Sequence, residues 1–133
     1  MFLSKKKQYQ EAFKWIDRAI NSTNDKYFSI RNSHAIILFD ANYDLLLNEM
    51  VEKQLDRSME ILHKCYNDDS RKIFHAIVYA DQAERYYMKT NSSKTIRYLQ
   101  QAMTWLNEES SNNPWNYELK QRLNNVEKIL GKI

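Results

Sequence analysis

The sequence predicts an all-α protein of about six helices, paired as three antiparallel hairpins in a single domain over residues 1–133. Three observations lead there. Glycine and proline occur once each, which argues against turn-rich β-sandwiches, glycine-rich phosphate loops and Pro/Gly linkers. Apolar residues recur at three- and four-residue steps almost throughout, the period of a helix with one buried face. Between those stretches lie runs of Asn, Ser, Thr and Asp, whose short side chains compete for backbone hydrogen bonds.

The first helix is expected over residues 6–21, with Tyr9, Ala12, Phe13, Ile16, Ala19 and Ile20 on one face. It stops in Asn21-Ser22-Thr23-Asn24-Asp25. The second, residues 26–47, is the most apolar and carries Phe28, Ile30, Ala35, Ile36, Ile37, Leu38, Phe39, Leu45 and Leu46. Apolar character on more than one side implies burial between neighbours. Asn42 and Asn48 both fit the break that follows. The third covers residues 49–66 and ends at Asn67-Asp68-Asp69-Ser70. Asp68 and Asp69 fit as caps for the fourth helix, residues 70–89, which carries Ile73, Phe74, Ile77, Val78, Ala80, Tyr86 and Tyr87. Thr90-Asn91-Ser92-Ser93 separates it from the fifth, residues 93–107. A polar loop over residues 108–113 leads to the sixth, residues 114–130. There Asn113 is placed to accept from orphan amides, and Pro114 fits the first helical position. Gly131 sits where a left-handed cap is favoured.

Gross composition narrows the class. There are 20 basic and 17 acidic residues, a net charge of +3, which is mixed rather than polarised. Cys65 is the only cysteine, so no intrachain disulfide or multi-cysteine zinc site is available, and a reducing, cytoplasmic setting is expected. The start has Phe2 and Leu3 ahead of Lys5-Lys6-Lys7 and no long apolar region after them, unlike a signal peptide. The longest apolar run, residues 35–39, falls far short of the ~20 residues that span a bilayer.

A rhythm recurs along the chain. Ala12, Phe13, Ile16, Ala19 and Ile20 align with Ser58, Met59, Leu62, Cys65 and Tyr66, then with Thr95, Ile96, Leu99, Ala102 and Met103. Small residues seven apart, Ala12/Ala19 and Ser58/Cys65, would let a neighbouring helix approach closely. Residues 8–20, with Tyr9, Ala12, Phe13 and Ala19, resemble the second helix of a tetratricopeptide repeat, and residues 92–106 match more loosely. The chain departs from that family in lacking the first-helix Gly and the terminating Pro. Its separations also exceed the usual repeat of about 34 residues. The resemblance implies hairpins stacked in a short right-handed superhelix that binds a protein or peptide without catalysis. In that family the first helices of the pairs line a concave groove, here the second, fourth and sixth helices. Arg31, Asn32, His75, Tyr79, Gln82 and Tyr86 are the candidate groove residues, tyrosine being suited to anchoring an interface. The first helix resembles a second helix without its partner, as in a noncanonical cap or a chain taken from a larger protein. Residues 28–42 are similar to segments in carboxy-terminal helical arrays of large bacterial multidomain proteins, nucleotide-dependent ATPases and phage-defence sensors among them.

Other chemistry is thin. His34, His63 and His75 fall on separate helices without acidic partners at metal spacing, so no metal or cofactor is expected. Arg57 and His63 resemble the signature of the HEPN nucleases, in which an imidazole moves a ribose hydroxyl proton and a guanidinium stabilises phosphorane charge. Six helical steps, however, set these two side chains about 120° apart. Ser58, Met59 and Leu62, between them, fit the core rhythm. Lys5, Lys6, Lys7, Lys14 and Arg18 make a basic end able to touch phosphates, but Tyr9 and Phe13 beside them are spaced as core. Cys65 aligns with Ala19 and Ala102, so it is expected as a small core residue. The expectation is therefore a non-catalytic interaction module. A HEPN-type RNase or a nucleic-acid-binding domain stands as the alternative.

Overall fold

The computed structural model describes residues 5–23 and 27–133, with side chains from Lys7 onward in the first stretch. The reading of residues 1–4 as no leader, the side chains of Lys5 and Lys6, and the start of the second helix at Lys26 lie outside the described residues. The protein is all-α. Among the described residues there are six helices and no strand: α1 (Lys5–Thr23), α2 (Phe28–Tyr43), α3 (Glu49–Asp68), α4 (Lys72–Thr90), α5 (Ser93–Asn112) and α6 (Tyr117–Gly131). Contacts divide the chain into two compact units, Met1–Cys65 and Tyr66–Ile133.

In the first unit α1 packs on α2. Buried Ser58 of α3 donates its hydroxyl to the Ala35 carbonyl of α2 at 2.6 Å. A small residue on each side allows that approach. Ile16, Leu38, Phe39, Val51, Leu55, Met59, Leu62 and the thiol of Cys65 are buried. α2 ends four residues earlier than its apolar pattern predicts. The Asn42 amide turns back to the Leu38 carbonyl at 2.8 Å, and Asn48 caps α3 by accepting from the Val51 amide at 2.9 Å. Both candidate asparagines therefore act, one at each end of the break. Leu45 and Leu46, expected on a buried helix face, lie instead in the exposed connector.

In the second unit α4 packs on α5 and α6, and α5 packs on α6. Only residues 91–92 join α4 to α5, so these neighbours run antiparallel. Asn91 makes that turn in the left-handed region at φ 51°, its amide donating to the Tyr87 carbonyl at 2.7 Å. Aromatic rings form the spine of the unit. Tyr66 stacks on Trp105 with centroids 3.9 Å apart. Tyr79 meets Trp105 edge-on at 4.8 Å, and Tyr86 stacks on Tyr98 at 5.7 Å.

Expected boundaries in this unit move as well. α5 runs to Asn112 through the stretch expected as a loop. Glu109, on the same face as Trp105 and Leu106, is buried and accepts from the Tyr66 hydroxyl at 3.0 Å. Asn113 closes α5, its amide N–H and side chain both donating to the Glu109 carbonyl at 2.9 Å. Asn116 rather than Asn113 caps α6, accepting from the Leu119 amide at 3.1 Å. Gly131 is the last helical residue and has no positive φ, so it is not a left-handed cap.

The register of the core was better foreseen. None of the aligned positions on α1, α3 and α5 is exposed, and Ile16, Leu62 and Leu99 are all buried.

Candidate interaction surface

The connector between α2 and α3 carries Leu45, Leu46 and Leu47 in succession. All three are exposed, Leu46 to 91%, and Met50 in the first turn of α3 is exposed to 74%. Consecutive residues on a helix diverge by about 100° each, so no single helix face could have buried the trio. Leaving one such side chain in water forgoes roughly 1.5–3 kcal/mol of burial free energy. Clustered exposed apolar side chains of this kind mark interaction surfaces.

Two hollows meet at Leu45. One, of about 540 Å³, is lined by Tyr9, Gln10 and Phe13 of α1 and by Ala41, Asn42, Asp44 and Leu45. The other, of about 480 Å³, adds Leu38, Met50, Val51 and Gln54 to Phe13, Asn42, Leu45 and Asn48. Helices α1, α2 and α3 fix the walls, and Asn42 and Asn48 fix the two ends of the connector. Asp44 gives the first hollow an acidic lining residue, and Glu49, at the start of α3, lies 4.0 Å from Lys53.

A different surface lies on the second unit. A groove of about 700 Å³ has an apolar floor of Ile73, Phe74, Ile77 and Val78, with Arg71, Lys72, Glu109 and Glu118 around it. Beside it the Asp69 carboxylate accepts from Arg71 Nε and His75 Nε2, both at 2.7 Å, and from the Ser70 amide at 2.9 Å. These bonds, that from His75 foremost, hold the carboxyl down at about 2. Asp69 was expected to cap α4, and it pins the turn with side chains instead. Lys72 donates to the carbonyls of Tyr66 and Asn67 in the last turn of α3. Burial, reinforced by Glu109, pushes the Tyr66 hydroxyl well above its ordinary range.

The six expected groove residues separate by unit. Arg31 and Asn32 belong to the first. Arg31 is half-buried with its guanidinium 5.4 Å over the Phe28 ring, and Asn32 is buried. His75, Tyr79, Gln82 and Tyr86 belong to the second, and all four are buried. His75 is held by Asp69, while Tyr79 and Tyr86 both pack on Tyr98. Arg57 lines a concavity with His34 and Lys64, and His63 is not among its lining residues. Lys7, Lys14 and Arg18 are exposed on α1, with Arg18 5.8 Å over the exposed Trp15 ring.

Among the described residues no group of three or more His, Cys, Asp or Glu is placed to hold a metal ion. No helix among them is long and apolar enough to cross a membrane. No protein-family model matches the chain, and neither curated proteins nor solved structures give a match.

The leucine connector is the surface the sequence reading missed. Its signal was present: a Leu trio between Asp44 and Asn48, too broad in angle for one face and bounded by residues that favour turns and caps.

Proposed function

We propose that the protein is a non-catalytic module that binds another protein or a peptide, working as a tetratricopeptide-like helical scaffold in the cytoplasm, within a larger bacterial assembly. The observation that carries the reading is the exposure of Leu45, Leu46, Leu47 and Met50 beside hollows with helical walls. A partner segment would bury its own apolar residues there and set a basic group against Asp44. Walls already ordered by the core lower the entropy lost on binding. The resemblance of the odd helices to tetratricopeptide helices supports the scaffold part. A single buried thiol suits a reducing compartment.

Selection of displayed peptides on the full chain tests this, with Leu46→Asp as the counter-screen. Enriched peptides should carry apolar anchors with basic flanks. They should bind the variant about tenfold or more weakly, a loss of about 1.4 kcal/mol. Peptides that bind both proteins equally would overturn the assignment to this surface.

A further inference from the structure

The first unit holds a second concavity, of about 310 Å³, lined by Ile20 of α1, Arg31 and His34 of α2, and Arg57, Ile61 and Lys64 of α3. The spacing explains the convergence. Arg57, Ile61 and Lys64 stand at i, i+4 and i+7 on α3, and Arg31 and His34 at i and i+3 on α2, so each helix turns one face to the same hollow. Four of the six lining residues are basic in type and none is acidic. Asp56 and Glu60, close to Arg57 in sequence, are not among them. Among the described residues neither Arg57 nor Lys64 forms an ion pair.

Like charges gathered at one hollow repel, weakly where they are exposed as Arg57 and Lys64 are. Apolar side chains would fill the same space without that cost. A bound anion reverses the sign of the interaction. Guanidinium groups match the oxygens of a phosphate with paired N–H donors, and an ammonium adds a point charge. Ile20 and Ile61 supply apolar wall. The hollow is at the small end of ligand pockets, which run from about 300 Å³ upward. A phosphate alone would leave much of it unfilled. The hollow is also compact, drawing its lining from six residues on three helices, which suits a small ligand.

We infer that this concavity binds a phosphate monoester, the phosphate held by Arg31, His34, Arg57 and Lys64 and the organic part set against Ile20 and Ile61. The site lies in the first unit and does not depend on the leucine connector or on its partner.

Titration calorimetry on the full chain at fixed ionic strength tests the inference, with phenyl phosphate and inorganic phosphate as probes. Saturable one-to-one binding of phenyl phosphate is expected. Arg57→Gln and Lys64→Gln should each weaken it about tenfold or more, and Arg97→Gln, on the second unit, should leave it unchanged. Both test positions are exposed, and far-UV circular dichroism checks that each variant is folded. Tighter binding of phenyl phosphate than of inorganic phosphate supports an organic monoester. Equal binding keeps the phosphate site but overturns the role of the isoleucine wall. No saturable binding of either probe, or equal binding by wild type and both Gln variants, overturns the site. A single-stranded oligonucleotide that binds far more tightly than phenyl phosphate, and loses that affinity in Arg57→Gln, would overturn the small-ligand assignment in favour of nucleic acid.

Discussion

The two connectors that flank α3 are built on opposite chemistry. Residues 44–48 present apolar side chains to water and are tied down at their ends by Asn42 and Asn48. Residues 69–71 are polar and held at the centre, where one carboxylate gathers an amide, a guanidinium and an imidazole. The second arrangement holds a turn in place for its own unit's sake. The first leaves favourable burial unrealised within its unit, which is why the functional reading falls on it.

Substitutions can break this contrast, and the largest effect is expected at the pinned turn. His75 is fully buried, so His75→Ala removes both its packing and its bond to Asp69. The second unit should lose about 2–4 kcal/mol, read from the midpoint of urea unfolding. Asp69→Asn should cost less, because the shape remains and only the charge goes. Its clearest mark is pH dependence. With the folded carboxyl held at about 2, below its unfolded value, its contribution is fully present above about pH 4. It is lost as pH falls toward 2. Wild-type stability should therefore decline over that window, and Asp69→Asn should decline less. At the apolar connector the strongest single effect is expected at the cap, where Asn48→Ala should cost about 1 kcal/mol. Smallest is Leu46→Ser, expected to change stability by no more than about 0.5 kcal/mol. A large loss there would show that Leu46 packs within the fold, and the contrast between the connectors would fail.

The same contrast explains what could be read from the sequence. Helix periodicity located all six helices, and the aligned positions around Ile16, Leu62 and Leu99 turned out buried or half-buried. Side chains that satisfy the backbone locally, such as Asn42 and Asn48, were legible as candidates for ending an element. Contacts between residues far apart were not. Nothing near Glu109 in sequence announces Tyr66, and it is that buried bond, 43 positions away, that accompanies the extension of α5 beyond Asn107. His75, Tyr79, Gln82 and Tyr86 mislead for the same reason. Their types suit a groove, yet Asp69, Trp105 and Tyr98 hold three of them in the interior. The basic hollow was invisible because its residues come from three separate helices.

The burial of Cys65 gives the molecule a reporter of its own. As the chain's only thiol, with no solvent-accessible surface, it meets an alkylating reagent only when the surrounding packing opens. The slow fraction of labelling then measures how often the core breathes, without any foreign probe. A ligand that tightens the first unit would announce itself as slower modification of one sulfur.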